Sequence, residues 1–405
     1  MDPRVFAFDA ILGIAMLVAI AARRLHLPYS VGLALVGALL ALTRTAPPVL
    51  LTHDLIYDLI LPPLLFEASV TLHWSHLRKD LWTVGVLAIM GTLISAAVTT
   101  AGVAFLLGWP FGSALVFGVL IAATDPVAVI ALFKDQGVGG RLRLLVESES
   151  LFNDGVAAVL FAVALVVVAP NGADGKTASL FVPLAALVAG GVGIGAAVGG
   201  AAILVAGRTR DRLVETALTV VAAFGSFSIA ERLHVSGVLA TVVAGLLMGN
   251  LGVLREGDSP LTPQGRAFVQ DFWGFVAFVA NSLVFPLIGV AVASMPLHVL
   301  GAPALLAIIG IVLASRALSV YPLGLVFRPT RYAIARRDQH VLFWGGLRGA
   351  LALALALALP PDLAMRDEIL VAAFGVAAFS IVVQGLTMPL LLRALGVKTH
   401  PAADG

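Results

Sequence analysis

Between Val156 and Ala169 every side chain is a hydrocarbon, and the residues just before that run are Glu147-Ser148-Glu149-Ser150-Leu151-Phe152-Asn153-Asp154-Gly155. Together they make one segment long enough to cross a bilayer, where the backbone must satisfy its own hydrogen bonds as a helix or a closed barrel. No other stretch constrains the fold as much. Three carboxylates, two hydroxyls and an amide lie within it. Ionisable side chains are costly in hydrocarbon, so their presence there marks a functional site rather than a polar helix start.

The rest of the chain repeats the apolar pattern. Charged residues are 12% of the 405, about half the share of roughly 25% in soluble domains, so the fold class is an all-α polytopic membrane protein. A span needs roughly 20 largely apolar residues. That criterion gives thirteen spans: 6–22, 29–43, 53–71, 81–108, 111–133, 141–169, 180–206, 211–231, 236–252, 266–295, 300–327, 338–360 and 367–396. Met1-Asp2-Pro3-Arg4 runs into the first span with no small-residue cleavage pattern, so no removed signal peptide is expected. No soluble regulatory domain is expected either, because the connections are short. The absence of cysteine excludes thiolate zinc sites, iron–sulfur clusters and disulfides. Apart from Arg316 and Arg348, which fall inside spans, the basic residues sit in or beside the connections, where they report topology rather than nucleic-acid binding. They concentrate on one side, as Arg23, Arg24, Arg78, Lys79, Arg208, Arg210, Arg212, Arg328, Arg331, Arg336 and Arg337 illustrate. The positive-inside rule then puts the N-terminus outside and the C-terminus in the cytoplasm.

An odd span count suits two inverted six-helix repeats joined by a linking span, spans 1–6 matching 8–13 with span 7 between. Span 5 carries Thr124-Asp125-Pro126 and its counterpart span 12 carries Gly345-Gly346-Leu347-Arg348-Gly349. Both are helix interruptions near mid-membrane, and such a pair points to a transporter's binding site. Pro126 lacks an N–H and clashes with the preceding turn. The unwinding it forces frees carbonyls and the Thr124 hydroxyl for a cation and exposes helix-end dipoles that Asp125 neutralises.

Asp154 lies roughly 20 Å along span 6, near the midplane, with Ser150 one turn earlier on the same face and able to share a bound ion. Desolvation disfavours an empty carboxylate there, so Asp154 holds either a proton or a dehydrated cation, but not both. Glu149 points about 140° away from Asp154. Arg316 stands alone in span 11 and needs a buried partner, which makes Glu149–Arg316 the expected salt bridge. Arg348 either offsets the dipole ends at the second interruption or snorkels to an interface. Glu67 in span 3 either reaches the site through water or merely lines the interior. Asn153 is expected to fix the backbone of the interrupted helices. Gly190-Gly191 and Gly199-Gly200 allow close helix approach.

Thr124-Asp125-Pro126-Val127-Ala128-Val129, Glu149-Ser150-Leu151-Phe152-Asn153-Asp154 and Gly345-Gly346-Leu347-Arg348-Gly349-Ala350 resemble the three signatures of cation/proton antiporter family 1. These are the sodium/proton exchangers and their prokaryotic NhaP-type members. Leu61-Pro62-Pro63-Leu64-Leu65-Phe66-Glu67-Ala68 and Ser315-Arg316-Ala317 fit in the same order, and the likeness runs over about residues 10–396. The resemblance implies an NhaA/NhaP-like fold. Spans 1–3 and 8–10 would form a dimerisation part, and spans 4–6 and 11–13 a moving ion-binding core. It implies Na+ held at Asp154, Ser150 and Thr124, with Asp125 around it and Glu67 acting through water. It also implies the Glu149–Arg316 core bridge, a homodimer, a cell-membrane location and no cofactor. The Asn153-Asp154 pair implies electroneutral exchange of one cation for one proton.

The expected function is therefore antiport of Na+ or Li+ against H+ by alternating access. Potassium as the main cation is the rival within transport. An intramembrane aspartyl protease using Asp125 and Asp154, and a channel, are the rivals from other classes.

Overall fold

The computed structural model describes residues 3–25, 28–44, 51–169, 181–255 and 259–397. Its elements in order are α1 (Pro3–Leu25), α2 (Tyr29–Leu42), a π-helical turn Leu55–Ile60 leading into α3 (Leu61–Val70), α4 (Trp74–Leu107), α5 (Phe111–Leu120), α6 (Val127–Asp135), α7 (Gly140–Val168), α8 (Phe181–Ala206) and α9 (Arg212–Arg232). There follow α10 (Gly237–Met248) with a π turn Gly249–Val253, α11 (Pro263–Ser294), α12 (Ala302–Phe327), α13 (Arg336–Trp344), α14 (Ala350–Leu357), and α15 (Arg366–Phe379) joined through a π turn Ser380–Gln384 to α16 (Gly385–Ala394).

The chain is a multi-pass membrane protein. Seven segments among the described residues are long and apolar enough to cross a bilayer, with shorter apolar helices at Ile11–Ala22, Tyr29–Leu42, Phe111–Leu120 and Gly237–Val253. Length alone thus returns fewer spans than the thirteen read from hydropathy. Of the six not returned, expected spans 5 and 12 are each broken into two half-helices, α5/α6 and α13/α14, neither long enough by itself, and spans 1, 2, 3 and 9 correspond to apolar helical stretches that are too short. The fourth span also starts earlier than read, at Trp74 rather than 81, because Arg78, Lys79 and Asp80 are carried on the helix rather than on a loop.

The fold divides into two compact units, one of Met1–Ile56, Trp82–Asn153 and Asn281–Gly405, the other of Tyr57–Leu81 and Asp154–Ala280. The division falls inside α7 and α11. In the second unit, α8 lays Gly191, Gly195 and Gly199 against α10. A Cβ on these glycines would sit 2.6 Å from the Ser236 carbonyl, 2.3 Å from the Ala240 carbonyl and 2.9 Å from the Ala244 Cα. The four-residue spacing is one helix face, and only glycine lets the backbones approach this closely. Trp273 Nε1 donates to Thr219 Oγ1 at 2.8 Å, and its ring packs on Phe66 at 4.6 Å. Glu215, fully buried, accepts from the Thr262 N–H and hydroxyl at the start of α11.

In the first unit α2 and α11 cross at equally short range. A Cβ on Gly37 would meet the Pro286 carbonyl, and one on Gly289 the Ala34 carbonyl, each at 2.0 Å. The same unit contains both broken spans.

Candidate functional site: the crossing of two broken helices

α5 ends at Leu120 and α6 begins at Val127, with Pro126 as its N-cap, so the helix opens across the Thr124-Asp125-Pro126 triplet. α13 ends at Trp344 and α14 begins at Ala350, opening across Gly345–Gly349. The two gaps cross. Asp125 and Leu347 form an isolated antiparallel bridge, with the Asp125 N–H donating to the Leu347 carbonyl at 2.8 Å.

Each gap exposes one carbonyl end and one N–H end. The Asp125 carboxylate accepts from the Val127 N–H at 2.9 Å and from the Ala350 backbone, so it caps the first turns of both α6 and α14. Arg348, expected to offset the dipole ends of its own interruption, reaches across instead. Its guanidinium donates to the Ala122 and Ala123 carbonyls at 2.8 and 2.9 Å, at the carbonyl end of α5. The reason is the crossing itself, which brings the carbonyl end of one broken helix beside the other gap. Each placement is favourable, a carboxylate on N–H groups and a cation on carbonyls. Gly349 is required by proximity, since a Cβ there would lie 1.8 Å from Asp125 Oδ2.

A polar spine leads from this crossing into α7 and α12. Thr124 donates its N–H to Asn153 Oδ1 at 3.3 Å, and its hydroxyl lies 3.1 Å from the Ser150 hydroxyl. Asn153 Nδ2 donates both to that Thr124 hydroxyl and to Glu149 Oε1. Glu149 receives two parallel bonds from Arg316, at 2.8 and 2.9 Å, and Arg316 also donates to the Leu342 carbonyl in α13. Arg316 and Glu149 are 6% and 3% exposed. A pair this dry needs its remaining hydrogen-bonding capacity used, and Leu342 and Asn153 use it. Asn153 therefore ties the opened end of α5 to the buried ion pair.

Asp154 is the next residue of α7 and is half-buried, one helical turn beyond Ser150. Glu67 lies in α3 and is also half-buried; Asp154 and Glu67 both belong to the second unit, whereas Thr124, Ser150 and Asn153 belong to the first.

The sequence profile of the family described as "Sodium/hydrogen exchanger, transmembrane" matches residues 12–394. The chain belongs to the sodium/hydrogen exchanger family. It is 41% identical to the Na+/H+ antiporter ApNhaP of Aphanothece halophytica, over 95% of this chain and 73% of that protein. It is 35% identical to the Na+/H+ antiporter NhaH of Halobacillus aidingensis, over 96% of each. Its fold matches that of the sodium proton antiporter MjNhaP1 from Methanocaldococcus jannaschii with a TM-score of 0.79, at 19% identity, over 98% of this chain and 99% of that one.

Exchanger-family membership removes the protease alternative, and the chain is a secondary transporter rather than an enzyme. The bonding agrees, since the Asp125 carboxylate is committed to two helix N-termini. Two polar residues at the crossing were not among those picked out from the sequence. Ser380 Oγ accepts from the Arg348 N–H at 3.0 Å, and Gln384 Nε2 donates to the Trp344 carbonyl at 3.0 Å, capping the end of α13. Both stand on the π turn between α15 and α16. The signal for them was present, because Ser380 and Gln384 are polar residues in the middle of an apolar span, the same reasoning that picks out Arg316.

Proposed function

We propose that the chain is a secondary antiporter that exchanges Na+ for H+ across the cell membrane, with Asp154 as the group both ions compete for. The observation that carries this reading is the crossing of two opened helices, tied to the α7–α12 ion pair, in a set of four charges that cancel. Asp125 and Glu149 carry two negative charges, Arg316 and Arg348 two positive ones. A carboxylate at Asp154 then leaves this layer one charge negative when empty and neutral when it holds either a monovalent cation or a proton. Moving an uncompensated charge through low dielectric is costly, so the loaded forms reorient and the empty form does not. Exchange follows from that asymmetry alone.

The Ser150 hydroxyl, one turn before Asp154 on α7, and the Thr124 hydroxyl 3.1 Å from it supply neutral oxygens for a cation that has shed water. Asp125 and Arg348 hold the opened backbone, and Glu149, Arg316, Asn153 and Pro126 set its shape. Glu67 acts on the site through water. One cation exchanges for one proton, electroneutrally. Lithium is the alternative cation at the same site, and potassium is the rival substrate within the same exchange. The dimerisation part comprises spans 1–3 and 8–10, the moving core spans 4–6 and 11–13. The protein works as a homodimer, with its N-terminus outside and C-terminus cytoplasmic.

Vesicles carrying a preset pH gradient, with voltage clamped, test this. Sodium should collapse the gradient in wild type and leave it intact in Asp154→Ala. A folded wild-type protein that moves no protons with Na+, Li+ or K+ would refute the reading.

A further inference from the structure

Glu147 is the carboxylate of the polar run that neither the crossing nor the exchange cycle uses. Its side chain is 17% exposed and lies 3.6 Å from Arg143 Nε, one turn earlier on α7 and 34% exposed. It precedes Ser150 by three residues and Asp154 by seven on the continuous helix α7. At 100° per residue those three side chains share one face, offset from one another by no more than about 60°, and Glu147 stands roughly 10 Å nearer the start of the helix than Asp154. Glu149 projects the other way, to Arg316. α6 runs from the opened triplet outward to Lys134 in its last turn, and the charges of Arg143 and Lys134 are those that act on Glu147. The carboxylate thus sits between the opened helix and the basic ends of α6 and α7.

We propose that Glu147 is a staging site for the transported monovalent cation on the α6–α7 face of the membrane, holding it before it reaches the level of Ser150 and Asp154. This rests on the exchange reading above. A cation leaving water needs oxygen ligands along its way, and a half-buried carboxylate one step outside the site raises its local concentration. Arg143 is the competitor. The pair is long, partly exposed and has arginine N-terminal to glutamate, the weaker order along a helix. An entering cation therefore displaces the guanidinium at little cost.

The absence of cysteine in the chain makes the face addressable. Gly139 is exposed, and a side chain there meets nothing within 4 Å. Gly139→Cys labelled with a membrane-impermeant maleimide reports which face of a vesicle carries the α6–α7 connection. On that background the Na+ dependence of exchange is measured from each face. Glu147→Gln should raise half-saturating Na+ on the labelled face roughly fivefold, the size of losing the local cation concentration that one partly screened carboxylate sustains at the entry. The opposite face and the maximal rate should not change. Arg143→Gln should lower half-saturating Na+ about twofold on the same face, and should have no effect once Glu147 is glutamine. Glu147→Asp should restore part of the affinity.

Equal shifts on both faces would overturn the proposal, as would a fall in maximal rate at unchanged half-saturation or a rise caused by Arg143→Gln. If Glu147→Gln does not fold, the Arg143→Gln arm decides, since that change is on a partly exposed side chain with no buried charge to strand. Failure of these arms with an active wild type overturns the staging site alone. A wild type inactive with Na+ overturns the exchange reading and the staging site together.

Discussion

Removing Arg316 tests whether the ion pair at the heart of the first unit is structural. Arg316→Ala strips Glu149 of two short bonds and leaves a carboxylate that is 3% exposed without its cation. Breaking a buried pair from one side costs about 3–5 kcal/mol. Glu149→Ala strands the guanidinium, which keeps only the Leu342 carbonyl, at a similar cost of about 3–5 kcal/mol. If the two sites were independent, the double variant would lose roughly 6–10 kcal/mol. In this structure the double variant strands no charge. What it forfeits is the bonds to Leu342 and to Asn153, about 1–3 kcal/mol for the two. The double variant should therefore unfold no more easily than either single one. The assay is denaturant unfolding of purified protein in detergent, followed by tryptophan fluorescence, with exchange measured in parallel. Exchange is lost in all three, because α7, α12 and α13 are no longer tied. Additive losses, or single variants within about 1 kcal/mol of wild type, would refute the reasoning. Charge reversal at both positions should likewise fold better than either reversal alone.

Gly349→Ala places a methyl group against the Asp125 carboxylate, and should abolish exchange at a cost of about 1–3 kcal/mol, read by melting temperature and vesicle transport together. Asn153→Ala releases the Thr124 N–H and hydroxyl; it should leave a folded protein whose exchange rate is down about five- to tenfold, since one buried bond of this kind contributes about 1–1.5 kcal/mol. Unchanged transport in Asn153→Ala would remove the residue from the spine. Gly195→Leu drives a side chain into the Ala240 carbonyl and should disrupt the second unit by separating α8 from α10, read as aggregation on size-exclusion chromatography. Competition at Asp154 predicts that half-saturating Na+ rises toward tenfold per pH unit on the acid side while the maximal rate stays level, measured in pH-clamped vesicles. A fall in maximal rate with unchanged half-saturation would contradict it.

The two interruptions were legible because their causes are local. Pro126 removes a backbone donor, and Gly345, Gly346 and Gly349 disfavour a helix around Leu347-Arg348. The Glu149–Arg316 contact was legible because each is an isolated charge in hydrocarbon and needs a partner. Arg348 shows where such reasoning stops. That it must face carbonyls follows from its charge, but which carbonyls depends on how the two gaps cross, and nothing within either segment encodes that. The π turns at Leu55–Ile60, Gly249–Val253 and Ser380–Gln384 were not read, because a shift of hydrogen-bond register by one residue leaves the hydrophobic pattern nearly unchanged. The start of α4 was misplaced because hydropathy marks the edge of the hydrocarbon, not the end of the helix. Of the α8 glycines read as close-approach positions, Gly190, Gly191 and Gly199 are such positions, Gly200 is not, and Gly195 was not picked out. Which glycines face α10 and which, like Gly200, face open space was not in the pattern.

The central claim is that Na+ and H+ exclude one another at Asp154, and proton release on cation binding tests it most directly. Purified protein in detergent, in weak buffer on the acid side of its working range, is titrated with NaCl while the pH is followed, with choline chloride as the control. Mutual exclusion predicts acidification that saturates with Na+ at no more than one proton per chain, and none in Asp154→Asn. Sodium binding without proton release, or release that persists in Asp154→Asn, would contradict the account.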